Sequence, residues 1–529
     1  MRMYCRASVR SVACALALGL HAAHAAKEVA PPAAPSVAWI PASADADIER
    51  AFAQARAEHK PLLVYWGAKW CPPCNQLKAT LFNRQDFIER SRAFVAVEID
   101  GDLPGAQKLG SRFKVRGYPT MVLFTPAGAE ITRLPGEADA PQVMAVLHQG
   151  LSGGRPVKAV LADARAGKPL TSNEWRLLAF YSWDTDEQQL VSAGERPALL
   201  AALAAACPAS ERQTQTRLWL KALAATDTDK GVKADAKGRE RLLSLLADPA
   251  ASRMHMDVLT SYAAEITKAI TTKAAGGDRA RVVAAFDKAL VRLEADTTLS
   301  RGDGISALGS RVEMARLEVP KDAKDPKLAA ALLNDVRAHA ARADREITDG
   351  YERQAVITAA AYVLGQAGLR EESDALLKAN LGKSHSPYYL MSQLASNAKA
   401  RGDKDGALQW LEQAFDKSEG PATRLQWGAS YLSALVELAP HGAPRIERAA
   451  AQIFGEAAVQ PNAFYERSAR SLQRVGNKLQ AWNADGRHAV AMKRLQQQLE
   501  GVCAKLEAAD PQRATCEGLL AGKPRGKAV

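Results

Sequence analysis

Trp70-Cys71-Pro72-Pro73-Cys74 holds two thiols with two residues between them, and Gly117-Tyr118-Pro119-Thr120 follows further along the chain. Cysteines at this spacing can close a small ring, and the first of them can ionise. The pattern places Cys71 at a helix amino terminus, where unpaired amides and the helix dipole favour an anion. An ordinary thiol with a pKa near 8.5 is only a few per cent thiolate at neutral pH, whereas one lowered to about 7 is half ionised. Cys71 is then the exposed attacker that forms a mixed disulfide. Cys74, one turn inside and buried, releases it by closing the ring. Pro73 limits the backbone and offers no amide. Neither proline carries charge, so nothing between the cysteines holds the thiolate except the helix end, which favours reduction or isomerisation over strong oxidation. Lys69 and Lys78 are candidates for raising the thiolate population, although exposed lysines are ordinarily solvated.

Other readings of the pair stay open. Cys71 and Cys74 can form a permanently closed structural disulfide, or bind a metal; four ligands are usual for the latter, and no histidine pair or second close cysteine pair supplies them. We therefore expect no metal and no cofactor. His59, His148, His255, His339, His385, His441 and His488 are dispersed and read as surface or cap residues. Cys503 and Cys516 bracket a turn at Asp510-Pro511, which fits a disulfide closing a helical hairpin, with two free thiols as the alternative. Cys207, beside Pro208, reads as a small buried apolar side chain.

Several elements must position the cysteines. Ile48, Phe52 and Ala55 have helical spacing, ending near His59 and Lys60. Leu62-Leu63-Val64-Tyr65-Trp66 is a continuous apolar run of strand length that leads into the cysteines. Leu77, Leu81, Phe82 and Phe87 mark helical turns broken around Asn83. Ala93 to Asp100 reads as a second buried strand, followed by a short helix from Gln107 to Phe113. Thr120 to Thr125 and Ala129 to Leu134 read as strands around a turn, and Gln142 to Leu151 as a helix.

Gly150 to Pro156 reads as a linker. Beyond it alanine and leucine dominate and helix starts recur. Thr171 with Glu174 and Ser210 with Gln213 have capping-box spacing, Asp325-Pro326 places a cap before a proline, and Gly276-Gly277 and Gly302-Asp303-Gly304 read as breakers between helices. Ala361, Leu364, Gly368 and Leu377 are echoed by Ala395, Ala398, Gly402 and Leu411, each 34 residues later. That is the period of tetratricopeptide-like helix pairs, with a third, lengthened copy at 431–454. A helical bundle with one accidental echo is the competing reading.

At 529 residues the chain is too long for one core. Hydrophobic residues at 47% and charged residues at 24% are ordinary for a soluble protein. Arg2, Arg6 and Arg10, an apolar run over Val12 to Leu20, and Ala23-His24-Ala25 form the pattern of a secretory signal peptide, with cleavage expected near Ala25/Ala26. The run is too short to span a membrane, so the mature protein is expected to be periplasmic or secreted, without a membrane span. Cys14 lacks the leucine of a lipoprotein box, which favours release over lipidation. Removing the leader lowers the formal net charge of +12 by three, to about +9. Basic residues are scattered and aromatics do not interleave with them, so nucleic acid is not an expected partner. Five cysteines remain in the mature chain, too few for a disulfide-built scaffold and odd in number.

Residues from about Val37 to Leu151 resemble the thioredoxin family in element order and in motif: Trp70-Cys71-Pro72-Pro73-Cys74, Gly117-Tyr118-Pro119-Thr120 and the Pro135-Gly136 step. Lys60-Pro61 through Phe87, with Thr80-Leu81-Phe82, is most similar to exported thioredoxin-like domains that accept electrons from membrane reductants. The resemblance covers about a fifth of the chain and implies an α/β thioredoxin fold, a mixed central sheet flanked by helices. It implies a cis bond at Pro119 and a redox-active Cys71–Cys74 disulfide. It further implies that the Tyr118 backbone pairs with an extended client, that Trp70 and Tyr118 wall the site, and that Gly136 lets the client backbone approach. Thioredoxin itself has a buried acid behind the resolving cysteine; Tyr65 stands there here, which leaves the proton route open.

The expected organisation is thus a signal peptide (1–25), a flexible leader (26–43), a thioredoxin-like domain (44–151), and an all-α part. The all-α part divides into a helical array (157–347) and a tetratricopeptide-like helical-repeat region with a terminal hairpin (348–529). The expected activity is thiol–disulfide exchange on protein dithiol or disulfide clients, reset by a membrane or soluble electron donor, with the helices binding a partner. A partner-binding helical protein on an inert thioredoxin scaffold and a disulfide isomerase are the alternatives.

Overall fold

The computed structural model describes residues 36–136, 138–186, 189–226, 230–271, 276–320 and 326–521. The expected signal peptide, its cleavage point, most of the leader and the Asp325 cap lie outside the described residues.

Strands β1 (Ile40–Pro41), β2 (Leu62–Gly67), β3 (Val95–Asp100), β4 (Thr120–Phe124) and β5 (Glu130–Leu134) form one mixed sheet in the order β1-β3-β2-β4-β5. The apolar run becomes its central strand because both faces are covered, and every residue of β2 is buried. β3 runs parallel to β2, with Leu62 opposite Val95 and Trp66 opposite Ile99. β4 runs antiparallel on the other side, with Trp66 opposite Thr120.

Alternation along β2 divides the core. Leu62, Val64 and Trp66 pack with Ile48 and Phe52 of helix α1 (Asp45–Ala57). Leu63 and Tyr65 pack on the opposite face with Leu77 of α2 (Pro72–Leu77), Phe87 of α3 (Gln85–Ser91) and Leu147 of α5 (Ala140–Leu151). Helix α4 (Ala106–Arg112) precedes the Tyr118-Pro119 turn. Asp47 fastens the start of α1 by accepting the Ser43 and Ala44 amides, both at 2.9 Å. Between α2 and α3, Lys78–Phe82 forms a π-helical turn that closes at Asn83, which accounts for the break read there in the sequence.

Gly150 to Pro156 is a packed corner rather than a spacer. Val157, Val160 and Leu161 of the next helix enter the same apolar core as Val143, Val146 and Leu147 of α5. Arg133 of β5 ties the junction further: its buried guanidinium donates to the carbonyls of Lys114 (2.8 Å), Phe113 (2.9 Å) and Thr185 (2.9 Å), with Glu130 as its carboxylate partner. Burying a guanidinium is tolerable only when its donors are matched in this way.

From Val157 onward the described chain is helical. The Thr171–Glu174 capping box forms. The Ser210–Gln213 box does not: Glu211 takes the cap position, and its carboxylate accepts the Ser172 hydroxyl at 2.6 Å. The two glycine breakers are also corrected, since Gly276-Gly277 opens helix Gly276–Glu294 and Gly302-Asp303-Gly304 lies in the first turn of helix Arg301–Ala315. There Ser300 and Asp303 form a capping box strong enough to carry the glycines.

The 34-residue echo corresponds to two successive helix pairs, Gly350–Gln366 with Arg370–Asn380 and Pro387–Arg401 with Lys404–Lys417. Each turns at a left-handed glycine, Gly368 at φ 85° and Gly402 at φ 86°. The next pair is Pro421–Leu438 with Ala443–Ala458, beginning before the third copy read from the sequence. His255 departs from a surface reading, being a cap residue that is only 3% exposed. Among the described residues no helix is long and apolar enough to cross a membrane.

Candidate redox site

Cys71 is the N-cap of α2, and Pro72 and Pro73 open its first turn, where a missing amide costs nothing. The Cys74 amide donates to Cys71 Sγ at 3.2 Å, and the two sulfurs lie 2.25 Å apart. The buried Asn75 side chain donates to the carbonyls of Lys69 and Cys71, both at 2.9 Å, and so fixes the loop entering the helix. The Tyr118–Pro119 peptide is cis. A Cβ on Gly136 would come within 3.0 Å of the Pro119 ring, so this glycine serves the fit between two loops of the domain.

Cys71 is not the exposed sulfur expected from the motif. It is 2% exposed, and Cys74 is fully buried. Ala68, Trp70 and Tyr118 pack around the cysteines, and the helical region covers those two aromatic rings in turn. Tyr389 stacks on Trp70 with ring centroids 5.8 Å apart. The Arg467 guanidinium lies 5.1 Å from the Trp70 ring centre and 5.5 Å from that of Tyr118. Asp102, just beyond β3, gathers these groups: it accepts from Trp70 Nε1 at 2.9 Å and Thr423 Oγ1 at 2.6 Å, and pairs with Arg467. Gln107 of α4 donates to the Gly101 carbonyl at 2.6 Å and to Tyr118 Oη at 3.2 Å, and accepts the Arg467 amide at 2.9 Å. Glu466 starts helix Glu466–Trp482, which carries Arg467, at φ 41°, an uncommon backbone region for a residue with a side chain. None of Asp102, Gln107, Tyr389, Thr423 or Arg467 was singled out by sequence reasoning, because the contacts span more than 300 positions and leave no local pattern.

Two cavities adjoin the motif. One, of about 210 Å³, is lined by Cys71, Trp70, Tyr118 and Arg467 among others; the second, of about 540 Å³, lies along α2 and reaches Gly136. Pro72 and Pro73 line both.

The lysines near the motif have partners elsewhere: Lys69 pairs with Glu419 at 3.5 Å and Lys78 with Glu98 at 3.4 Å. Tyr65 is buried behind the site with no hydrogen-bond partner for its hydroxyl, and burial holds its pKa well above the usual phenol range. Asp100, opposite Gly67 in the sheet register, is the neighbouring acid that the sequence reading missed; burial raises its carboxyl.

The remaining cysteines differ. Cys503 and Cys516 have sulfurs 1.96 Å apart and sit in an apolar cluster of the terminal helices. Cys207 is a buried free thiol, and burial pushes it up to about 11.

Residues 48–151 match the model of a thioredoxin-like domain. The chain is 28% identical over 114 residues to thiol:disulfide interchange protein DsbD 2 of Pseudomonas aeruginosa, covering 21% of this chain and 19% of that protein. It is 32% identical over 107 residues to DsbD of Pseudomonas fluorescens, covering 20% and 18%. It is 29% identical over 92 residues to a thioredoxin of Mycolicibacterium smegmatis, covering 17% of this chain and 80% of that protein. The chain thus spans less than a fifth of the length of the interchange proteins it matches. Together with the fold, these similarities support a thiol–disulfide redox role for the amino-terminal domain.

Proposed function

We propose that this protein is an exported thiol–disulfide oxidoreductase that reduces or exchanges disulfides in envelope protein clients through Cys71 and Cys74. The observation that carries this reading is the sulfur pair at the start of α2, with Cys71 opening onto a cavity walled by Trp70 and Tyr118. In the reducing direction the Cys71 thiolate attacks one sulfur of the client disulfide, and the other client sulfur leaves as a thiolate and takes a proton. Cys74, deprotonated in turn, attacks Cys71 Sγ and expels the second client thiolate, which also takes a proton. The client gains two electrons and two protons, and Cys71–Cys74 becomes the disulfide that an external membrane or soluble donor must reduce again. Pro119, Tyr118 and Gly136 would border the client segment.

The stacked helix pairs from Gly350 to Ala458, tetratricopeptide-like in period, would hold a protein partner, since such arrays build extended binding surfaces. Export rests on the charged and apolar leader sequence. A second reading, an inert thioredoxin scaffold carrying a binding array, is favoured by one observation, the burial of Cys71.

Reduction of a test disulfide by the mature protein, compared with Cys71→Ser, separates the two. The redox reading expects turnover in the parent and a loss of at least about 1,000-fold in the variant. A Cys74→Ala variant is expected to retain clients covalently on Cys71. Equal, negligible activity in parent and Cys71→Ser would leave the scaffold.

A further inference from the structure

The face of the thioredoxin-like domain that carries Cys71 is covered by the helical region, and the space left over has two unlike ends. The cavity holding Cys71 is lined by three guanidinium groups, Arg116, Arg467 and Arg470, against one carboxylate, Glu466. Arg470 pairs with Glu466 at 2.8 Å, and Arg467 pairs with Asp102 behind the wall. Arg116 is exposed and has no carboxylate within ion-pair distance among the described residues. An anion entering here therefore meets a positive surplus beside aromatic walls.

The second cavity reverses the balance, with Asp139 and Asp303 against Arg84. Asp139 pairs with Arg253 at 2.7 Å, while Asp303 caps its own helix through Ser300. It also offers the hydroxyl of Thr260 and the Gln76 side chain, whose Nε2 is taken by Ser300 and whose buried Oε1 has no partner. Gly302 lies against the Gln76 amide group, which a Cβ there would meet at 2.4 Å and push aside. Pro72 and the exposed Pro73, between the two cysteines in the chain, line both cavities.

We propose that the client is an extended disulfide-bearing segment laid across Pro72 and Pro73, with carboxylates on the side of its cysteine that enters the Arg116–Arg467–Arg470 cavity. This rests on the redox reading above and adds the client's shape and charge. A folded surface cannot reach a cysteine that is 2% exposed, whereas a single strand fits a cleft with walls from both parts of the molecule. The helical region thereby acts as a selectivity wall.

The test uses the full chain, pre-reduced with dithiothreitol and desalted, and short linear peptides whose one cysteine is capped as a disulfide with thionitrobenzoate. Cys71 attacks the peptide sulfur and releases the coloured thiolate; Cys74 then attacks Cys71 and frees the peptide thiol, leaving the protein disulfide. Three peptides are compared: acidic before the cysteine, acidic after it, and neutral. One acidic peptide is expected to react about 10-fold faster than the neutral one at low salt, with the advantage shrinking as ionic strength rises. Arg116→Glu is expected to remove that advantage, and constraining the favoured peptide into a compact disulfide-free ring is expected to slow it by about 10-fold. Equal rates for all three peptides, an advantage that survives Arg116→Glu, or an unaffected cyclic form would overturn the inference while leaving thiol exchange standing. If no peptide releases the chromophore, the redox reading falls and the inference falls with it.

Discussion

Among the described residues two cysteine pairs lie at bonding distance, and exposure alone does not separate them. Cys71 and Cys74 are 2% and 0% exposed, Cys503 and Cys516 are 3% and 0%. Their surroundings do. Cys71 caps a helix and lines a cavity, so another sulfur has room to approach. Cys503 and Cys516 join helix Ala489–Cys503 to helix Pro511–Glu517 among Leu495, Leu499 and Leu519, an apolar site that disfavours a thiolate. Their sequence separations, 3 and 13, point the same way. A ring of the second size removes enough freedom from the unfolded chain to be worth about 3 kcal/mol, while the first constrains little. The lesson is that a disulfide's role is set by whether a partner sulfur can arrive.

The strongest attempt to break this contrast is timed alkylation in mild reductant. Cys71 and Cys74 are expected to become labelled at least about 100-fold faster than Cys503 and Cys516, whose release should await unfolding. Equal rates, read by peptide mass spectrometry, would erase the distinction.

Loosening the roof sharpens it. Asp102→Ala removes the shared acceptor of Trp70, Thr423 and Arg467 and leaves a largely buried guanidinium without its carboxylate. A loss of about 3 kcal/mol in urea unfolding is expected, together with faster labelling of Cys71 and unchanged labelling of Cys503 in the native state.

A smaller and global effect tests the helical region away from both pairs. Burial, with Arg217 and Arg241 nearby and only Asp257 opposing, lowers His255 to about 4. The unfolded chain binds its proton near 6.5, so this contribution is whole above that pH and is lost as pH falls towards about 4, by at most about 3 kcal/mol. Melting temperatures at pH 7 and 4.5 should diverge more for the parent than for His255→Gln.

The sheet and the chemistry were legible because their causes are local. The apolar run at Leu62 to Trp66, short and entered through Pro61, reads as a strand covered on both faces, and the cysteine spacing declares its own ring. The Thr171–Glu174 cap was equally readable. Where distant groups compete, local patterns failed. Ser210 lost the cap position to Glu211, which Ser172 engages from another helix, and Gly302-Asp303-Gly304 stayed helical because Ser300 caps the turn. Cys71 was expected in solvent since nothing in residues 44–151 announces that Tyr389 and Arg467 lie over it. The Arg467–Asp102 clamp joins positions 365 apart, and no periodicity records it.

The corner at Gly150 to Pro156 has a practical consequence. Because Val157, Val160 and Leu161 continue the apolar layer begun by Val143, Val146 and Leu147, truncation after Leu151 would strip a greasy flank from the sheet and leave the buried Arg133 without one of its three carbonyl acceptors. Such a fragment invites aggregation, and its sulfur reactivity would describe an unroofed relic instead of the intact protein.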